Sequence, residues 1–99
     1  MSFFCISPSI APCVPSNTKG RLDCVSNSAW VTWDDSEGAL SYTVLAQGVG
    51  GHNSTCTTAS SPCNVPDLKC GTLYTFHVTA VNEHCRSDNS TTFELETGI

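Results

Sequence analysis

Between Tyr74 and Asn82 the chain reads "YTFHVTAVN", with Tyr74, Phe76, Val78 and Ala80 on every second position. Successive side chains of a strand point to opposite faces, so this run builds a β-strand with one apolar face. Wound as a helix, it would bury two threonines and a histidine. The same period recurs: Ala29, Val31 and Trp33 in "AWVTWDD", Tyr42, Val44 and Ala46 in "YTVLAQGVGG", and Phe93 and Leu95 in "STTFELETG". "SEGA" reads as a turn, and "HNSTCTTASSPC" as a polar stretch with turn residues in its middle. "NVPDL" reads as a short strand, which Pro66 places at an edge or near its own end. Short strands about ten residues apart, with turn signals between them, predict an all-β fold: a two-sheet antiparallel sandwich.

Composition narrows the surface and the partners. Ser and Thr number 25 of 99 residues and charged residues are 13%, about half the quarter usual in soluble domains. Hydroxyls therefore wet much of the surface, which suits pleated strands and turns. The net charge is −5, and the four basic residues, Lys19, Arg21, Lys69 and Arg86, are scattered along the chain. Nucleic-acid binding needs them clustered, so it is excluded. No segment approaches the length of a bilayer-crossing helix, so membrane insertion is not expected. The first residues, "MSFFCISPSIAPC", lack a basic n-region and make a poor signal peptide. Phe3, Phe4 and Ile6, followed by Pro8 and Pro12, predict an extended N-terminal arm over 1–12, with one domain over 13–99.

Seven cysteines in so short a chain point to an oxidising compartment, where disulfides support a small core. No C-x-x-C occurs, so zinc-ribbon and thioredoxin signals are absent. The histidines His52, His77 and His84 do not combine with the cysteines at a tetrahedral spacing. Asp34, Asp35 and Glu37 are read as a solvated turn rather than a calcium loop. His84 and Cys85 are adjacent and point apart on an extended chain, no third group orients the histidine, and a paired cysteine cannot attack. No metal, cofactor or enzymatic activity is expected.

The chain resembles a fibronectin type III domain. "VTWDDSEGALSYTV" is similar to that family's second and third strands, with Trp33 as the core tryptophan. "LKCGTLYTFHVTAVN" is similar to its leucine, turn, tyrosine corner and sixth strand, and "TFELETG" to its last strand. The resemblance spans 13–98 and implies an immunoglobulin-like sandwich stabilised by disulfides. It implies that Tyr74 bonds back to the backbone upstream, that Leu68 plugs the base of the core and that Gly71 permits the sharp turn. Cys70 stands where the family usually has proline. The cysteine-bearing variant of the family forms tandem extracellular arrays, which implies one repeat here with its boundary at Thr97–Gly98.

Six cysteines permit many pairings; the topology implied by the resemblance selects Cys24–Cys70, Cys56–Cys63 and Cys13–Cys85. Cys5 is left over, either as a loose thiol or as part of an arm, with Phe3 and Phe4, that docks on a neighbouring domain. Trp30 is out of phase with Trp33 and should lie on the outer face, either covered by neighbours or as a contact residue. Leu45 and Val81 should point outward on the opposite sheet. The sequons at Asn53 and Asn89 fall in polar loops, and at least one is expected to carry N-linked glycan.

The expected function is non-enzymatic. The chain would serve as an extracellular structural or adhesive module, a disulfide-stapled bead of a tandem array or fibre. It would contact protein partners, itself or neighbouring repeats, through sheet edges and the arm. The alternative is a ligand-recognition module of a receptor-type ectodomain that presents loops at one end.

Overall fold

The computed structural model of the protein describes residues 11–98. Seven strands form in order: β1 (Ser16–Asp23), β2 (Ser28–Asp34), β3 (Ser41–Gly48), β4 (Asn53–Thr58), β5 (Cys63–Val65), β6 (Leu73–Val81) and β7 (Phe93–Glu96). They make two antiparallel sheets, β1-β2-β5 and β4-β3-β6-β7. The alternating runs become the inner faces. Ala29, Val31 and Val65 of one sheet meet Val44, Ala46, Tyr74, Phe76 and Val78 of the other, all buried. Trp33 tilts against Tyr42 with ring centroids 5.2 Å apart, and Phe76 stacks on Phe93 at 5.1 Å. Offset or tilted aromatic pairs of this kind add to the burial of their area.

The tyrosine corner forms as the sequence implies. Tyr74 is fully buried, and its hydroxyl accepts the Lys69 N–H at 2.8 Å and lies 3.0 Å from His52 Nδ1. Leu68 is buried beneath it, and its N–H donates to Asn27 O at 2.9 Å. Gly71 has φ 61°, the left-handed conformation that the turn requires.

Two elements differ from the sequence reading. β4 is a full strand where a polar loop was expected. It pairs with β3 from Tyr42↔Thr58 to Gln47↔Asn53, so the backbone ladder specifies it; its Ser, Thr and Asn side chains show little apolar contrast for a period to reveal. β1 covers Ser16–Asp23, where the alternating runs marked no strand; Asn17 takes φ 57° and the register with β2 shifts between Ser16 and Lys19. Between β6 and β7 the chain leaves the ladder, and serines substitute for it. Ser87 Oγ accepts the Ala80 N–H at 2.9 Å and Ser90 Oγ the Val78 N–H at 2.8 Å, both buried. Backbone bonds from Ser87 N to Ala80 O and from Ser90 N to Val78 O complete the replacement.

Gly48 closes β3 where the chain doubles back. A Cβ there would lie 2.7 Å from His52 O and 2.9 Å from a Tyr74 ring carbon. One obstacle is backbone and the other a buried ring, so neither yields cheaply. Gly48→Ala is expected to cost about 1–3 kcal/mol of unfolding free energy, read from equilibrium urea denaturation.

Candidate contact surface

The outer face of β1 and β2 carries the most distinctive group of side chains. Lys19 and Arg21 occupy alternate positions of β1 and are exposed. In the ladder Arg21 stands opposite Trp30, and Lys19 opposite Thr32. These four residues and Pro62 border a cavity of about 260 Å³. Trp30 is half-buried, which places it on the outer face as its phase implies. At the end of β1 the Asp23 carboxylate accepts the Val25 N–H at 3.1 Å. That backbone bond is the chief reason the Asp23 carboxyl lies below the usual aspartate value; bonds from Ser26 and Trp30 add to it. Lys19 and Arg21 look scattered in sequence, yet they share one face with the tryptophan. The legible signal was their spacing of two residues within a strand.

On the opposite sheet Leu45 and Val81 are half-buried. His77 stands across from Leu45, and partial burial holds its imidazole below the usual histidine value. The unfolded chain therefore takes up this proton first. The stability associated with neutral His77 is intact above the unfolded value of about 6.5 and is lost as pH falls through it toward the lower folded value. Melting temperatures taken from pH 8 to pH 5 should fall less steeply in His77→Gln than in the parent chain.

Of the expected disulfides, Cys56–Cys63 is formed. It ties β4 of one sheet to β5 of the other. Cys13 is disulfide-bonded, whereas Cys85 is a half-buried free thiol. The Cys13–Cys85 pairing is thus not made, because the Cys13 sulfur is already engaged. The two residues do share an end of the sandwich: the Cys13 N–H donates to Glu37 O, and Cys85 O accepts the Asn82 N–H just beyond β6. Cys24 and Cys70 also share an end, where both border a cavity of about 280 Å³ with Leu22, Asn27 and Leu68. Both carry exposed free thiols in place of the expected bridge.

Asn82 organises the turn at His84 and Cys85. Both backbone N–H groups donate to Asn82 Oδ1, at 2.9 and 2.8 Å, and His84 Nε2 faces Glu83 at 3.4 Å in solvent. Cys85 is a free thiol, so the expectation that a disulfide consumes its sulfur is not met. Among the described residues no group of three His, Cys, Asp or Glu side chains is placed to hold a metal ion. Asn53 and Asn89 are both exposed, but Asn53 opens β4, paired with Gln47, rather than lying in a loop. Phe3, Phe4 and Cys5 lie outside the described residues.

The fibronectin type III domain model matches residues 14–96. The chain belongs to the fibronectin type III family. Domains of this family are generally non-enzymatic structural or binding modules in larger proteins. The chain is 34% identical over 87 residues to fibronectin type III domain-containing protein 7 of Homo sapiens, and equally to that of Mus musculus. The match takes in 88% of this chain and 12% of those relatives' length. A fibronectin type III-like protein from Clostridium thermocellum superposes with TM-score 0.72 at 30% identity, over 90% of this chain and 96% of that one. The fibronectin type III domain of human collagen alpha-1(XX) gives 0.73 at 25% identity, over 93% and 90%.

Proposed function

We propose that this fibronectin type III domain is a non-enzymatic extracellular module, a rigid bead of a tandem array or fibre that contacts neighbouring repeats or other proteins. The Cys56–Cys63 bridge carries this reading. Disulfides persist in secreted and cell-surface proteins and are rare in the reducing cytosol. Exposed Asn53 and Asn89, each within an N-S-T sequon, agree with passage through the secretory route. A chain that spans 12% of its relatives' length suits one bead among several. Contacts run through the free sheet edges and the N-terminal arm.

A second reading is a ligand-recognition module of a receptor-type ectodomain. The cavity beside Cys24 and Cys70, open among loops at one end, favours it. An antibody against the folded domain tests the location that both readings share. Staining of unpermeabilised cells or of the matrix fraction supports it, and staining only after permeabilisation overturns it.

A further inference from the structure

β2 carries both tryptophans of the chain, three residues apart, as Trp30-Val31-Thr32-Trp33. W-x-x-W is the acceptor pattern for C-mannosylation in the secretory route, where the first tryptophan takes the sugar. On a strand, positions three apart face opposite ways. Trp33 accordingly points into the core, 5% exposed and tilted against Tyr42. Trp30 is half-buried on the outer face of the central strand of its sheet. The first tryptophan of the pattern is thus the one with room beside it.

That room is the cavity of about 260 Å³ bordered by Trp30, Lys19, Arg21, Thr32 and Pro62. It falls short of the roughly 300–1,000 Å³ of pockets that enclose drug-sized ligands, a size that suits a single sugar ring. Its polar members suit one too. The ladder sets Arg21 opposite Trp30 and Lys19 opposite Thr32, where cross-strand neighbours interact. Lysine and arginine offer donors, and the threonine hydroxyl both donates and accepts. Among the described residues no ion pair engages Lys19 or Arg21. Asp23 ends β1 at the next alternate position. With an acid beside the two cations, this face favours a neutral hydroxylated group over a polyanion.

We propose that Trp30 carries one mannose, joined to the indole carbon Cδ1 and seated over this cavity. This rests on the reading of the domain as an extracellular module, because the sugar donor and its transferase belong to the secretory route. The donor is a mannose linked to a polyprenyl phosphate. The Cδ1 atom, electron-rich through the neighbouring Nε1, attacks the anomeric carbon. The bond from that carbon to the phosphate oxygen breaks, and the lipid phosphate leaves with the electron pair. The Cδ1 proton is lost as the ring recovers its aromaticity, so no oxidant or reductant takes part. The new carbon–carbon bond sets the sugar hydroxyls among Lys19, Arg21 and Thr32.

The test expresses the chain behind a cleavable secretory leader in mammalian cells and maps the product by mass spectrometry after enzymatic removal of N-glycans. The peptide containing Trp30 should carry the added mass of one hexose. Fragmentation should place it on Trp30, and it should survive alkaline β-elimination, which strips sugars from serine and threonine. Trp30→Phe should lose the hexose without passing it to Trp33. Trp33→Ala, which breaks the pattern, should lose it too. That variant cuts into the core, so it is read on chain retained in the cells as well as on secreted chain. An unmodified Trp30 in the parent, a hexose that alkali releases, or an undiminished hexose in either variant each overturns the proposal. The leader brings the chain to the transferase whatever its native location. A missing hexose therefore sinks this inference alone, whereas antibody staining only after permeabilisation sinks the extracellular reading.

Discussion

Phe76→Ala should remove about 3–5 kcal/mol of unfolding free energy, the loss expected when a buried aromatic is cut to alanine and leaves a cavity. Small domains have about 5–15 kcal/mol in total, so this one change brings the fold close to its limit. The site explains the size. Phe76 is fully buried on the central strand β6, paired to Ala46 on one side and Phe93 on the other. Its ring lies 6.3 Å from that of Tyr74 and stacks on Phe93 with planes 3° apart. Neither neighbour moves easily into the vacated space. Tyr74 is held by its hydroxyl bond to Lys69, and Phe93 is pressed by the β1 backbone at Gly20. Equilibrium urea denaturation reads the loss as a lower midpoint at unchanged slope. Val81→Ala, on the half-buried outer face of the same strand, is the control and should cost less than about 1 kcal/mol. A loss at Phe76 no larger than the control's would mean that this face is not the core.

Replacing Cys56 and Cys63 together by alanine should lower stability by about 2–4 kcal/mol. Closing a loop of about eight residues accounts for roughly 2.5 kcal/mol in the chain-entropy treatment, most of the effect. Position supplies the rest of the argument. β4 and β5 belong to different sheets, and between them no strand ladder runs. The bridge is therefore a covalent tie where backbone bonding offers none, and Cys63 is also part of the buried core. In a domain of this size the melting temperature should fall by about 10–20 °C. A double variant that melts within about 2 °C of the parent would show that the two sheets need no tie there.

What the sequence made legible follows its apolar contrast. β2, β3, β6 and β7 announce themselves because valine, tyrosine or phenylalanine alternates with threonine, histidine or glutamate. The tyrosine corner was legible through the resemblance of "LKCGTLYTFHVTAVN" to the family's turn and sixth strand, and the buried hydroxyl finds its partner in the Lys69 N–H. β4 was not, because "NSTCTT" presents hydroxyls on both faces and its place is set by β3. Nor was the serine substitution after β6, for which Ser87 and Ser90 give no periodic sign. The cysteines were half legible. Topology assigned Cys13 and Cys85 to one end and Cys24 and Cys70 to the other, and in the structure these pairs do share ends. A shared end does not fix which sulfurs bond. The face around Trp30 was read from its phase alone; Lys19, Arg21 and Asp23 joined it only once β1 and β2 were in register.

The most direct test of an oxidised, extracellular bead is non-reducing peptide mapping of the chain secreted from eukaryotic cells, alkylated before digestion. The account predicts a linked peptide pair containing Cys56 and Cys63, with neither residue alkylated. Recovery of both as alkylated thiols from natively folded, secreted protein would contradict it.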